Sequence, residues 1–253
     1  MTKADRAAKI AAAAPKRRGP GPAVIVALLV VAALIVVGVW QVSSGSQDSQ
    51  STVNSAGVPK GGDANGGLNA FPGVKLADGA PKVEVFTDFQ CPFCGHLAKF
   101  NGEAMNKLAK EGKIQLVEHH MKFLDENMRR GEKGPSHAAA NAAYCAADEG
   151  VYPQVAHGIF VNQPEVEGQG FPDDLFTKLA QGAGVKGEAL DRFEKCVSKK
   201  KYVDYVKKSD EMSARMQVTG TPAVRINGKD VAKEDMSQLV SAANTFETVL
   251  AKY

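Results

Sequence analysis

At 253 residues, with 44% hydrophobic and 23% charged side chains, the chain has an ordinary globular composition, enough for one large domain or two small ones. Its formal net charge of +3 is gathered at the N-terminus: residues 1–40 hold Lys3, Arg6, Lys9, Lys16, Arg17 and Arg18 against Asp5 alone, whereas from Phe71 onward 24 Lys plus Arg face 25 Asp plus Glu. So even a balance gives nucleic-acid binding no support, and four cysteines are too few for a disulfide-dense scaffold.

The first predicted element is apolar. Ala23–Trp40 contains 18 uncharged residues, and at about 1.5 Å rise per residue such a helix nearly crosses a hydrocarbon core of about 30 Å. The basic tail, residues 1–22, precedes it and Trp40 sits where an interfacial aromatic belongs, so the tail is expected in the cytoplasm and everything after residue 41 outside. The alternative is a cleaved secretory signal ending near Val42-Ser43-Ser44, which exports the body equally. Residues 41–70, mostly Ser, Gly, Asn and Gln, are read as a flexible extracytoplasmic tether, and the body is expected to begin near Phe71.

Lys82–Phe89, K-V-E-V-F-T-D-F, is rich in β-branched and aromatic residues and follows Gly79-Ala80-Pro81, which marks a central strand. After Cys94, the positions Leu97, Phe100, Ala104 and Leu108 recur at helical spacing. Lys107 and Lys110 suit the negative end of that helix, and Gly112 can terminate it. Ile114–Val117 reads as a second strand, completing a βαβ unit with parallel strands. From about Gly134 to Lys200 the pattern is helical without a convincing strand, and a further helix covers about Tyr202–Met216. Ala223–Ile226 is strand-like, Asn227-Gly228 is a two-residue hairpin turn, and a last helix places Met236, Leu239, Val240, Ala243, Phe246 and Leu250 on one face.

The chemistry centres on V-F-T-D-F-Q-C-P-F-C, where Cys91 and Cys94 stand at a strand-to-helix junction. C-x-x-C alone serves zinc sites, structural staples and reactive dithiols. Export makes disulfide chemistry available, since disulfides persist outside the cytoplasm. A cysteine in the first helical turn lies near unpaired N–H groups and the positive end of the macrodipole, both of which favour thiolate. Cys91 is therefore the expected nucleophile. Pro92 suits the first helical position because it has no N–H to leave unsatisfied, and Cys94, one turn deeper, is the expected resolving thiol. A four-cysteine zinc site would need Cys91 and Cys94 to meet Cys145 and Cys196, whereas structural zinc sites draw ligands from close pairs, so no metal is expected. His119 and His120 are adjacent and alternate across a strand, while His96, His137 and His157 sit singly on predicted helices.

The strand, the C-x-x-C at a helix start, the second strand and the later V-T-G-T-P before a hairpin resemble the thioredoxin superfamily. The helical stretch at about 130–200 between its two halves resembles the DsbA-like branch of exported thiol oxidoreductases, over residues 71–253. The resemblance implies a thioredoxin fold with an inserted helical subdomain. It also implies a cis bond between Thr221 and Pro222 facing the cysteines, and an extended substrate chain pairing with the Thr221 backbone beside Cys91. Two departures are visible. The buried acid that many relatives carry as a proton acceptor six residues before the first cysteine is Val85 here, with Glu84 on the opposite strand face, and the second intervening position is Phe93 where strong oxidants often have His. Loss of that donor predicts a milder oxidant.

Cys145 and Cys196, exported and even in number, are expected to form a structural disulfide like that of some actinobacterial relatives, worth about 2 to 4 kcal/mol. Two buried free thiols are the alternative. The resemblance implies a disulfide oxidoreductase that needs no cofactor beyond the Cys91–Cys94 disulfide. It also implies exported cysteine-containing proteins as substrates, and a membrane quinone-linked reoxidant similar to DsbB or to a vitamin K epoxide reductase homologue. A reductase or isomerase of the same fold, and a non-redox binding or chaperone module, are the competing readings.

Overall fold

The computed structural model describes residues 57–253. The predicted tail (1–22), membrane span (23–40) and first part of the tether lie outside the described residues. Among the described residues no helix is long and apolar enough to cross a membrane.

A five-stranded sheet is ordered β1-β3-β2-β4-β5, with β1 at Leu68–Asn69, β2 at Lys82–Thr87, β3 at Gln115–His120, β4 at Ala223–Ile226 and β5 at Lys229–Asp230. β2 and β3 run parallel, pairing Val83 with Leu116, Val85 with Glu118 and Thr87 with His120. β1 and β4 flank them antiparallel. β2 is buried from Val83 to Thr87, with Val83, Val85 and Phe86 supplying its apolar contacts and Glu84 and Thr87 buried among them. The strand predicted to run to Phe89 stops at Thr87 because Asp88 turns the chain: its carbonyl accepts the Cys91 N–H at 3.0 Å and its carboxylate the Gln90 N–H at 2.9 Å.

The crossover between the parallel strands is helix α1, Pro92–Lys110, which buries Cys94, Leu97, Met105 and Leu108 and carries Lys107 and Lys110 in its last turn. It ends at Gly112, whose φ is +69°. The Lys113 N–H reaches back to the Leu108 carbonyl at 2.9 Å. A side chain at 112 would also collide with the Lys75 carbonyl.

Between β3 and β4 lie α2 (Phe123–Asn127), a 3₁₀ turn (Gly131–Lys133), α3 (Pro135–Asp148), α4 (Tyr152–Val161), α5 (Leu175–Gly182), α6 (Glu188–Ser198) and α7 (Val203–Arg215). The alanine-rich α3 is the axis of this insertion. Ala139, Ala140, Ala142, Ala143 and Ala146 are fully buried, and such small side chains let α4, α6 and α7 pack closely around it.

Two further expectations are corrected. The tether does not extend to residue 70: Leu68 is fully buried and pairs with Glu118 at the sheet edge, and the Tyr205 hydroxyl accepts the Asp63 N–H at 3.0 Å and donates to the Gly67 carbonyl at 2.8 Å. Glycine there serves close approach: a Cβ on Gly66 (φ +93°) would stand 2.5 Å from the Ser209 backbone nitrogen on α7. The single last helix is two, α8 (Lys233–Ser241) and α9 (Phe246–Leu250). Asn101, buried on α1, makes the break. Its Nδ2 donates to the carbonyls of Leu239 (2.7 Å) and Ala242 (3.0 Å), and its Oδ1 accepts the N–H groups of Thr245 (2.8 Å) and Phe246 (2.9 Å). One side chain thus satisfies both new helix ends.

Candidate active site

Cys91 is the N-cap residue of α1, with extended backbone (φ −72°, ψ 119°), and Pro92 occupies the first helical position. Its carbonyl accepts the N–H groups of Cys94 (3.0 Å) and Gly95 (3.2 Å), which fixes the loop. Both thiols are free. Cys91 keeps 8% of its surface exposed and Cys94 none, while Phe93 between them is 58% exposed. The Thr221–Pro222 bond is cis, and the Cys91 thiol donates to the Thr221 carbonyl at 3.4 Å. Residues 130 positions apart in the chain therefore meet at one sulfur.

The two thiols are electrostatically unlike. The Cys94 thiol hydrogen-bonding to Cys91 outweighs the opposing effect of burial, and the Thr221 side chain and the backbone N–H groups of Cys94 and Phe93 add to it, so the Cys91 pKa is lowered to about 6. Burial, and then the Cys91 thiolate, hold the Cys94 thiol well above its ordinary range. Titrating the reduced protein by ultraviolet thiolate absorbance should accordingly give one transition near pH 6 that Cys91→Ala abolishes. The sign for stability follows: a lowered thiolate pKa stabilises the reduced fold progressively as pH rises from about 6 toward the ordinary thiol range, and the gain is lost as pH falls through 6. The melting temperature of the reduced form should rise relative to the oxidised form over that window. A transition near the ordinary value, or one that survives in Cys91→Ala, would reverse the assignment of the two sulfurs.

Buried polar groups of the insertion anchor the loop that carries Cys91. Asp88 accepts the Ser136 hydroxyl at 2.6 Å and the Leu124 N–H at 2.9 Å, and its own burial pushes its pKa up to about 6. Gln90 donates from Nε2 to Asp125 (2.8 Å) and Ser136 (2.6 Å), and its Oε1 accepts the Gly168 N–H at 2.7 Å. Asp125 also accepts the His137 N–H at 2.9 Å, with the His137 Nδ1 3.1 Å away. Gln163, just beyond α4, donates to the carbonyls of Phe89 (2.8 Å) and Cys91 (2.9 Å). The polar residues of T-D-F-Q-C, at the end of a buried strand, were a visible signal that partners must exist. Their identity was not.

The remaining candidates separate. His120, held neutral by burial with its pKa lowered to about 3, bridges Thr87 (3.1 Å) and Tyr152 (2.8 Å) on the α1 side of the sheet. His119 stacks on Phe86 on the other side, 4.6 Å between centroids, near Glu84. The His119 ring, 3.5 Å away, first and then Lys82 lower the Glu84 pKa to about 2, on the face away from Cys94. Cys145 on α3 and Cys196 on α6 are joined in a disulfide with Cα atoms 5.8 Å apart. They do not contribute to the site.

A family model described as thioredoxin matches residues 77–244. The chain belongs to the thioredoxin family. Within the family, the probable disulfide bond formation protein D of Bacillus cereus is 26% identical over 171 residues, 65% of this chain and 74% of that protein. The reduced DsbA of Mycobacterium tuberculosis superposes with a TM-score of 0.50 at 27% identity, over 72% of this chain and 92% of that one. MdbA, a thiol-disulfide oxidoreductase of Actinomyces oris, shares the fold with a TM-score of 0.65 at 20% identity, over 79% and 94% of the two chains. The chain is a DsbA-like protein disulfide oxidoreductase, and the helical insertion expected of that branch is present.

Proposed function

We propose that this thioredoxin-family protein is a membrane-anchored oxidase that donates the Cys91–Cys94 disulfide to exported proteins. The observation that carries the reading is the asymmetry of the pair, an acidic Cys91 that keeps a small accessible edge over a fully buried, weakly acidic Cys94. A stabilised Cys91 thiolate lowers the free energy of the reduced protein and so makes its disulfide an oxidant. With a pKa of about 6, Cys91 lies between about 7 for thioredoxin and about 3.5 for DsbA, which supports a milder oxidant than DsbA.

A substrate thiolate attacks Cys91 Sγ, the Cys91–Cys94 bond breaks, and its electron pair leaves on Cys94 Sγ. The substrate's second thiolate then attacks the substrate sulfur of the mixed disulfide, and Cys91 leaves as a thiolate. Two electrons pass from substrate to the pair, and no bound cofactor is required. The exposed Phe93 and the Thr221 backbone beside Cys91 offer an extended chain apolar and main-chain contacts with little side-chain selection. The pair is restored by a membrane quinone-linked partner similar to DsbB or to a vitamin K epoxide reductase homologue, toward which the Ala23–Trp40 anchor confines the domain.

The deciding experiment traps the Cys91–Cys94 redox state in cells by acid quench and thiol alkylation. Mostly oxidised protein is expected. A mostly reduced pool would replace the oxidase with the reductase or isomerase reading.

A further inference from the structure

Glu118 is an anomaly in an otherwise apolar wall. It lies on β3 in register with Val85 of β2 and Leu68 of β1, so the acid has apolar side chains on both sides along the sheet. Among the described residues no counter-charge acts on its carboxyl. Its partly buried setting does, withdrawing water from the group and raising its pKa to about 8, although the side chain keeps some exposed surface. A half-buried carboxyl among apolar neighbours, with no partner among the described residues, lowers stability once ionised and calls for a reason. The reason lies across a cavity of about 50 Å³, large enough for a few water molecules, which Glu118 lines together with Cys94, Thr87 and Tyr152.

The exchange set out above, on which this inference rests, creates a need at that cavity. When the disulfide opens, the electron pair leaves on Cys94 Sγ, a fully buried sulfur whose thiolate the surroundings disfavour. We propose that Glu118 is the group that exchanges a proton with Cys94 through the cavity as the Cys91–Cys94 disulfide opens and closes. On opening, the Cys91–Cys94 bond breaks, the protonated carboxyl releases its proton to the cavity, the departing Cys94 sulfur gains one, and the carboxylate is later reprotonated from solvent. On closing, the Cys94 thiol gives its proton to the Glu118 carboxylate, the Cys94 sulfur bonds to Cys91, and the partner sulfur leaves with its electron pair. A carboxyl that changes protonation state near neutral pH can serve in both directions.

The other titratable groups facing Glu118 are Tyr144 on α3, and Tyr152 and His157 on α4, with His120 two residues along β3. Both tyrosine hydroxyls are driven to higher pKa by burial and stay neutral, and His120 stays neutral at its lowered value. The exposed His157 lines the same cavity and requires a control.

The test isolates the Cys94 step. The reduced protein is loaded at low pH with a 5-thio-2-nitrobenzoate group on Cys91. After a jump to higher pH, release of the coloured thiolate is followed. The leaving group is ionised throughout, so the pH dependence reports on Cys94 and its proton acceptor. Wild type and His157→Ala should share an inflection near pH 8. Glu118→Gln should lose it, release about 10- to 100-fold more slowly at pH 8, and accelerate steadily with hydroxide, and Glu118→Asp should regain part of the rate. Stability should move the opposite way: a raised carboxyl pKa costs the fold stability as pH rises from the unfolded value toward 8, so Glu118→Gln should melt above wild type at pH 8 and converge with it at low pH. Superimposable wild-type and Glu118→Gln release profiles, or a Glu118→Gln protein that melts lower at every pH, would overturn the assignment. Failure of the exchange reading looks different: Cys94→Ala would release the colour as fast as wild type.

Discussion

Cys94→Ala is expected to accumulate mixed disulfides at Cys91 that are fleeting in the wild type. In the native pair, Cys94 can attack any adduct on Cys91 and expel it, because the two residues lie on one helical turn and the Cys94 thiol hydrogen-bonds to Cys91 Sγ. Removing that sulfur removes the intramolecular route, and the adduct persists until a second external thiol finds it. The nucleophile stays competent, since Thr221 and the backbone N–H groups of Phe93 and Cys94 remain to stabilise the Cys91 thiolate. Loss of the Cys94 donor, its largest stabilising partner, should move the Cys91 pKa upward from about 6. Cys91→Ala should trap nothing, because the remaining sulfur at Cys94 is fully buried. Non-reducing gels of cells carrying each variant, followed by identification of the adducts, would show a ladder of exported cysteine-containing proteins for Cys94→Ala alone. Equal ladders from both variants, or none from Cys94→Ala, would exclude exchange through Cys91 and favour a binding or chaperone role.

The second large effect is on stability alone. The Cys145–Cys196 disulfide spans 51 residues of sequence, and closing a loop of that length removes about 4 kcal/mol of unfolded-chain entropy. Replacing both cysteines with Ala should lower the melting temperature by roughly 10 °C in a domain of this size. Turnover of a dithiol substrate should be nearly unchanged. The contacts that shape the site enter the insertion through Leu124, Asp125, Ser136 and Gln163, and Ser136 lies about 14 Å along α3 from Cys145 at the helical rise. Comparable losses of melting temperature and of turnover would show instead that α3 transmits the strain of the missing bond to Asp88 and Gln90. Peptide mapping that finds both thiols free in the wild type would remove the basis of the prediction.

Two departures from expectation have one origin. The G-G-D-A-N-G-G run has the composition of a linker, yet Gly66 is needed where the backbone of α7 approaches it. The apolar positions of the last segment keep the spacing of one continuous helix, yet Asn101, more than 130 residues upstream, stabilises a break by satisfying groups on both sides of it. Composition and periodicity report what a segment can do alone, and in both cases a distant side chain or backbone changed the outcome.

What the residues determine by themselves is the local chemistry of the C-x-x-C. A buried strand, a cysteine at the N-cap, proline at the first helical position and a second cysteine one turn on are all set within ten residues. The preference of Cys91 for the thiolate follows first from the Cys94 thiol that this order places one turn on, and then from the N–H groups of the helix end it creates. Tertiary structure decided the surroundings of that pair. Strand register set Glu118 beside Val85, and the packing of α1 on β3 and of α4 on α1 brought it to the cavity of Cys94. The folding of the insertion over the loop supplied Asp125, Ser136 and Gln163 to residues 88–91. A hydrogen bond or a shared cavity between groups tens of residues apart depends on register and packing, and neither is written in the spacing of one segment.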